Sequence, residues 1–571
     1  MRDDATWTSL VSLLEARAGS DAELGYGFLD DADDAAPTSR LTFAELDQRA
    51  RRIAGLLRET CAPGQRALLL FPPGPDYVAA FFGCLYARVV AVPAYPPDPS
   101  RLARTLPRLS AIVSDASPAV ALTTRTIVSL AAGLAALDPA LAALRWMAVD
   151  DEAAATAAPW RDPQVDETTV AFLQYTSGST GDPKGVVLSH GNLLHNQVLI
   201  QRAFGHDRSS RVVGWLPLYH DMGLIGNLLQ PLYVGIPCTL MSPLAFLRAP
   251  LRWLRAITRF AATSSGGPNF AYELCARKAT ESDLRELDLS SWRVAFNGAE
   301  PVRADTMRRF ADRFAPCGFS PRAFHPCYGL AESSLIVSGG RLDAEPLELT
   351  VDARALELGQ LQAVAPGLGA HTLVASGQPL EARSVRIVEP STRREVPDGQ
   401  VGAIWVQSAS VAAGYWGRDA LSREVFGAQL ASGEGPFLDT GDLGFVDGGC
   451  LFVTGRVKDL IIVRGRNLYP QDLERLAEAA SDRLRPGCAA AFAERGELGE
   501  EIVLVAEVER GFIASEGEAV AAAVRRALSE QLEVTLHQLV LISAGALSKT
   551  SSGKVQRRAT RQAWRAGELP V

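Results

Sequence analysis

The sequence predicts an α/β protein with a large N-terminal domain of helix-covered, mostly parallel sheets and a smaller α/β C-terminal domain. Three observations carry that expectation. First, the chain has 571 residues, more than a single compact core usually holds. Second, short apolar or β-branched runs alternate with longer helical patterns, as parallel sheets covered by helices require. Third, the texture changes after about Arg456, where a separate set of strand and helix patterns begins.

In chain order, Arg66 to Phe71 reads as a buried strand. FPPGP is a turn, and Asp76 to Ala87 is a helix. Further strands are expected at Pro118 to Leu122, Thr169 to Tyr175, Arg211 to Leu216 and Trp292 to Phe296. The Ala/Leu-rich run from Ile127 to Leu144 reads as packed helices, because Asp138 and Pro139 interrupt it and Arg125 and Arg145 flank it. In the tail, Pro470 opens a helix, PQDLERLAEAASDRL, at a position where proline is tolerated. Strands follow at Cys488 to Phe492 and Glu501 to Val508, then a helix over Glu516 to Leu532 and a strand near Leu539 to Ile542.

Composition narrows the function. Hydrophobic residues make up 47% and charged residues 21%, which is globular. The net charge is -8 with no basic block, which disfavours a nucleic-acid partner. No run is apolar for long enough to span a bilayer, and MRDDATWTSL lacks the apolar core of a secretory signal. The eight cysteines are scattered without a C-x-x-C pair, so they read as reduced thiols of a cytoplasmic protein and not as a zinc site. Only five of the 57 basic residues are lysines: Lys184, Lys278, Lys458, Lys549 and Lys554. Where arginine has replaced nearly every other lysine, a surviving ammonium marks a place for a compact charge that meets a phosphate end-on. Chance is the competing explanation.

The segment YTSGSTGDPKGVVLSH, Tyr175 to His190, runs from an apolar strand into a Thr/Ser/Gly loop ending in Lys184. Such a loop offers backbone N–H groups and hydroxyls to phosphate oxygens, and it is not a Walker A loop. A flexible polar turn is the alternative for a generic loop of this kind. TSGSTGDPKG resembles the phosphate-binding motif of the adenylate-forming superfamily, which includes acyl-CoA synthetases, peptide-synthetase adenylation domains, luciferases and fatty acyl-AMP ligases. Five further strings follow in the family's order: FNGAEPV, CYGLAESS, LDTGDLG, GRVKDLIIVRGRNLYPQDLE and LSKTSSGKVQRR. The likeness covers nearly the whole chain.

That resemblance implies roles. Thr176, Ser177, Gly178, Ser179, Thr180, Gly181 and Lys184 would cradle the β- and γ-phosphates of ATP. Backbone at Gly298 and Ala299 would line adenine and Tyr328 would stack on it, with Glu300 and Gly329 in the same nucleotide site. Glu332 would help to hold Mg²⁺, a hard cation suited to carboxylate and phosphate oxygens. Asp442 would accept from the ribose hydroxyls and Arg456 would donate near them. Lys554 would be the catalytic lysine, bridging the substrate carboxylate and the α-phosphate. His220, Asp221, Met222 and Ile225 would lie at the acyl site; a helix-capping or core-satisfied pair is the alternative for His220 and Asp221. The division implied is residues 1–456 and a mobile domain of residues 457–571, with Lys458 at the hinge.

Within the superfamily, AVPAYPPDP, PLYHDMGLIG, GGPNFAYEL and YGLAESSL are similar to the fatty acyl-AMP ligases. Ala331 stands where CoA synthetases commonly have Thr. The stretch 340–374 matches the place of that branch's insertion, which packs on the large domain and goes with poor use of CoA. Leu356, Leu358, Leu361, Val364 and Leu368 are its candidate packing residues. The implied reaction makes a fatty acyl-AMP from a fatty acid and ATP, for a separate acyl carrier protein. The main rival is an acyl-CoA synthetase, separated by detection of acyl-CoA. An amino-acid adenylation enzyme and a luciferase-like oxygenase are weaker rivals. A non-catalytic nucleotide- or lipid-binding module would bind ATP without turnover.

Overall fold

The computed structural model describes residues 7–30, 37–95, 102–129, 133, 138–150, 164–176, 183–367, 369–463, 466–496, 499–550 and 553–570. Two large sheets build the first part of the chain. One has six strands, in the order Arg145–Ala148, Val120–Thr123, Arg66–Leu70, Val90–Ala94, Val170–Thr176 and Lys184–Ser189. All neighbours in it are parallel except the last pair. Its central strands are buried on both faces, which is why Ala67 to Leu70 and Val90 to Ala94 are apolar without alternation.

The other has nine strands, and its middle is parallel from Phe324–Gly329 through Val294–Asn297, Ser264–Gly267, Val212–Gly214 and Cys238–Leu240 to Gly25–Leu29. Towards the two edges the pairing turns antiparallel: Ile336–Gly339 and then the edge strand Gln378–Pro379 on one side, and the edge strand Pro37–Thr42 on the other. The expected strands at 118–122, 169–175, 211–216 and 292–296 are present, with ends displaced by one or two residues. Helices cover the sheets. Phe43–Arg58, for example, is closed by a Thr42/Glu45 capping box and buries Leu46, Ala50, Ile53 and Leu57 on one stripe.

A five-stranded sheet over residues 385–456 is wholly antiparallel. Its last hairpin joins Leu438–Asp447 to Cys450–Arg456 through Gly448 and Gly449, both at positive φ, so no crossover helix is needed.

After Arg456 comes a unit with its own core. A two-stranded hairpin, Ile461–Val463 with Arg466–Leu468, precedes the helix Pro470–Ala479 and the three-stranded sheet Leu484–Gly496, Gly499–Val508 and Leu536–Ile542. The Pro470 helix stops at Ala479, short of the expected Leu484. Arg483 N–H turns back to the Ser481 hydroxyl, and Leu484 already belongs to the next strand. The helix Gly517–Leu532 packs on the same core.

The stretch 340–374 forms a two-stranded sheet, Glu348–Asp352 with Ala370–Val374, around the short helix Ala353–Glu357. It packs on more than the large domain. Val351, Leu356 and Leu373 share a core with Leu443, Phe445 and Phe452, and also with Tyr469 from the C-terminal part. Leu356 is buried as expected, and Leu361 and Val364 are partly buried. Leu358 corrects the expectation: it is 63% exposed, because the helix ends at Glu357 and turns it outward. Leu368 lies outside the described residues. Much of the Ile127 to Leu144 run also falls outside them, and a helical turn over Pro139–Ala142 is present. Among the described residues no helix is long and apolar enough to cross a membrane. All eight cysteines are free thiols.

Candidate active site

Strand ends and connecting loops deliver the candidate residues to one place, as open α/β sheets do at the carboxyl ends of their strands. Thr176 and Lys184 are cross-strand partners at the loop end of the hairpin Val170–Thr176/Lys184–Ser189. Ser177 to Gly181 lie outside the described residues.

The strand Val294–Asn297 runs straight into Gly298 and Ala299. A β-carbon at Gly298 would stand 2.8 Å from the Cys327 carbonyl oxygen, so only glycine fits between the two strand ends. Ala299 takes φ +70°, a left-handed turn that throws the chain off the sheet. Glu300 is engaged from below: its Oε1 accepts the Phe270 N–H at 2.6 Å. Burial pushes its carboxyl up, against the pull of that N–H and of Arg303.

On the neighbouring strand, the buried Tyr328 hydroxyl donates to Asp442 Oδ2 at 2.7 Å. Asp442 faces Arg456 across the antiparallel pair, and Arg456 Nε donates to Asp442 Oδ1 at 2.9 Å. The Asp442 charge holds the Arg456 guanidinium above its ordinary value. Residues 114 and 14 positions apart are thus fixed on one carboxylate.

Glu332 sits on a short 3₁₀ turn after Gly329. Its Oε1 accepts the Tyr415 hydroxyl at 2.8 Å, and its backbone oxygen accepts the Ala412 N–H. Burial pushes the Glu332 carboxyl up, and the Tyr415 hydrogen bond and Arg456 offset this in part. Tyr415 is a residue that the sequence reading missed. The segment around it bonds to the strand carrying Lys184, through Val187 N–H to Gly414 O and Trp416 N–H to Gly185 O. Lys184 Nζ lies 5.0 Å from the Tyr415 ring centroid, a cation–π contact. A lone tyrosine in AAGYWGR carries no local signal of this placement.

The C-terminal hairpin around Lys554 reaches the same place. Burial lowers the Lys554 pKa and Arg456 lowers it further, while Asp221, Asp442 and Glu300 act in the opposite direction. Those five residues are therefore electrostatic neighbours. His220 Nδ1 and Asp221 Oδ1 are 2.5 Å apart, and Asp221 also accepts the Met222 N–H at 2.7 Å. The second bond makes Asp221 a capping residue as well as a neighbour of Lys554. Burial favours the neutral Asp221, but His220 and Lys554 outweigh it and the pKa is lowered. Met222 and Ile225 are buried on a π-helical segment, Met222–Leu229, a geometry frequently found at functional sites. Lys458, on the turn Val457–Asp459, is an electrostatic neighbour of Lys184 and Asp439. Burial, Lys458 and Arg418 lower the Lys184 pKa, and Glu332 opposes them.

Three cations (Lys184, Arg456 and Lys554) thus lie near the carboxylates Glu332 and Asp442, with Lys458 beside Lys184. Crowded cations of this kind suit a polyanion. The Glu332 carboxylate, held by the Tyr415 hydroxyl, is a hard oxygen donor that suits a divalent cation taking its remaining ligands from phosphate oxygens. Among the described residues no group of three or more His, Cys, Asp or Glu side chains could hold a metal ion by itself.

Residues 28–416 match the AMP-binding enzyme family. The chain is 44% identical to a medium-chain-fatty-acid–[acyl-carrier-protein] ligase of Moorena producens, over 99% of this chain and 96% of that protein. It is 37% identical to a long-chain-fatty-acid–AMP ligase of Mycolicibacterium smegmatis, over 96% and 92%. A solved structure from work on the fatty acyl-adenylate ligases of E. coli and L. pneumophila superposes with a TM-score of 0.89 at 32% identity, covering 98% of each chain. The L. pneumophila fatty acyl-adenylate ligase in complex with acyl adenylate and pyrophosphate gives 0.77 at 37% identity, covering 99% of this chain and 97% of that one. The chain therefore belongs to the AMP-binding enzyme family and, within it, to the fatty acyl-AMP ligases.

Proposed function

We propose that this enzyme activates a fatty acid with ATP and Mg²⁺ to give a fatty acyl-AMP and pyrophosphate, and then passes the acyl group to the phosphopantetheine thiol of a separate acyl carrier protein. The observation that carries the first step is the gathering of Lys184, Arg456 and Lys554 about Glu332 and Asp442. Relatives named as acyl-carrier-protein ligases support the second step.

In the first step a carboxylate oxygen forms a bond to the α-phosphorus, and the bond from that phosphorus to the bridging oxygen of pyrophosphate breaks. Two anions must meet, so positioning and charge neutralisation supply most of the rate. Lys184 and the loop before it hold the β- and γ-phosphates. The Lys554 ammonium spans the substrate carboxylate and the α-phosphate as charge builds on both. Asp442 accepts from the ribose hydroxyls, while Tyr328 and Arg456 fix its orientation. Gly298, Ala299 and the Tyr328 ring enclose adenine. Glu332, whose carboxylate the Tyr415 hydroxyl orients, would hold Mg²⁺, and the cation would supply charge neutralisation of the triphosphate. In the second step the carrier's thiolate sulfur bonds to the acyl carbon, and AMP leaves with the oxygen that joined them. Residues 457–571 rotate about Lys458 between the steps.

The test offers the preformed acyl-AMP to a phosphopantetheinylated carrier protein and, separately, to CoA. Transfer to the carrier with little transfer to CoA supports the reading. Efficient acyl-CoA formation makes the enzyme a CoA ligase, the activity named for a putative fatty-acid–CoA ligase of Mycobacterium bovis that is 36% identical to this chain.

A further inference from the structure

The hairpin that carries Lys554 lands on the large domain at one aromatic ring. Gly553 takes φ +88°, and a β-carbon there would stand 2.7 Å from Cε1 and 3.1 Å from Cδ1 of Phe270. The glycine backbone thus lies against the ring edge, closer than any other residue type permits. The hairpin is tied to itself next to this contact. Gly553 N–H donates to Thr550 O at 3.0 Å, Thr550 N–H to Lys554 O at 2.8 Å, and Lys554 N–H to the Thr550 hydroxyl at 3.0 Å. Lys549 Nζ donates to Gly487 O at 2.7 Å, which binds the hairpin to its own sheet. Displacing Gly553 therefore displaces Lys554 with it.

Phe270 is fixed from the opposite side. It is the second residue of the helix Asn269–Lys278, and its free N–H donates to Glu300 at 2.6 Å. Its ring meets Trp215 edge-on, with centroids 6.1 Å apart, and Phe246 at 6.3 Å. Glu300 closes the turn that begins at Gly298 and Ala299. A continuous path of contacts runs from that turn through Glu300 and Phe270 to Gly553 and Lys554. A second contact beside it, Arg303 Nη1 to Glu478 Oε2 at 3.5 Å, joins the same loop to the helix Pro470–Ala479.

We propose that Phe270, held by Glu300, is a positioning residue that seats the Lys554 hairpin for adenylate formation and takes no part in acyl transfer. The inference rests on the proposed two-step reaction. Lys554 acts over hydrogen-bond distances, so a displacement of about 1 Å costs on the order of 100-fold in rate. Truncating the ring removes the surface that sets the hairpin's depth. In the second step the C-terminal unit has rotated away, and the ring has nothing to seat.

The full chain is tested as Phe270→Ala and Phe270→Leu in each half-reaction separately. Pyrophosphate release with fatty acid, ATP and Mg²⁺ gives kcat and the KM for ATP; synthetic acyl-AMP offered to pantetheine gives the transfer rate. Phe270→Ala lowers kcat for adenylate formation at least about 10-fold with the KM for ATP within about 3-fold. Phe270→Leu recovers part of the loss, and transfer stays within about 2-fold of wild type in both variants. Unchanged adenylate formation, or equal loss in both half-reactions, overturns the proposal. Amide hydrogen exchange over residues 547–556 tests the seat without substrate: Phe270→Ala speeds exchange there and leaves the strand Val294–Asn297 protected. If wild type makes no acyl-AMP, the functional reading fails, and exchange alone decides the seat; unchanged exchange in Phe270→Ala overturns it.

Discussion

Glu357→Gln probes the joint between the 340–374 stretch and the C-terminal unit. Glu357 ends the helix Ala353–Glu357 and is 5% exposed. It accepts two bonds from Arg466, Nε to Oε2 at 2.7 Å and Nη2 to Oε1 at 2.9 Å, while Asn467 Nδ2 donates to its backbone oxygen at 3.2 Å. Glutamine keeps the size but loses the charge, and its NH₂ faces the guanidinium. Removing one partner of a fully buried pair costs about 3–5 kcal/mol. Here the Arg466 side chain is 21% exposed and keeps its bond to Leu532 O at 2.7 Å, which brings the loss below that range. The loss is then ~2 kcal/mol, or ~30-fold in the docked-to-undocked ratio of this joint. The neighbouring pair Arg354–Glu533 adds little, since both side chains are 67% exposed. Amide exchange read at Arg466–Leu468 should speed up by that factor in Glu357→Gln, and adenylate formation should slow while acyl transfer from preformed adenylate does not. Unchanged protection at Arg466–Leu468 would refute the assignment of this pair as the joint.

Three further outcomes follow from the site. Because burial and Arg456 lower the Lys554 pKa, the ammonium is present at low pH and lost as pH rises, at a lower pH than for an ordinary lysine; adenylate formation should show that alkaline limb, and Lys554→Arg, slower throughout, should lack it. Lys458→Pro should spare adenylate formation and impair transfer, and equal loss of both would exclude Lys458 as the hinge. Arg565 and Arg561 pull the Glu494 carboxyl from an ordinary 4.5 down to about 2. A depressed carboxylate pKa stabilises the fold above pH 4.5 and loses its effect as pH falls towards about 2, a contribution of ~1 kcal/mol after screening, since the Arg565 partner is 53% exposed. Trp564, on the same helix and 5.8 Å from Phe492, reports it: an acid fluorescence transition in that window should flatten in Glu494→Gln, and identical curves would remove the effect.

Tyr328, Glu332, Asp442, Arg456 and Lys554 were legible in the sequence because each sits in a short contiguous string. The alternation of strands and helices was legible for the same reason, since periodicity is local. Tyr415 and Phe270 were not. Tyr415 reaches Glu332 only through its pairing beside Val186, and Phe270 matters only because Gly553, far along the chain, lands on its ring. Contacts of that kind depend on how distant segments dock, which no window of sequence holds. The 340–374 stretch shows the same limit. Its apolar residues announced packing, but the sequence could not say that Leu358 would face solvent or that Tyr469 would join the core it covers. Glu300 is a third case: its string placed it beside the nucleotide, while its carboxylate is engaged by the Phe270 N–H.

The most direct test of the account is detection of the adenylate itself. Purified enzyme is incubated with a fatty-acid panel, ATP and Mg²⁺, with CoA present and absent, beside a Lys554→Ala control, and products are separated and weighed by mass spectrometry. Acyl-AMP should accumulate even with CoA present and disappear in the control. Wild-type enzyme that yields no acyl-AMP from any fatty acid, or Lys554→Ala that yields as much as wild type, would contradict it.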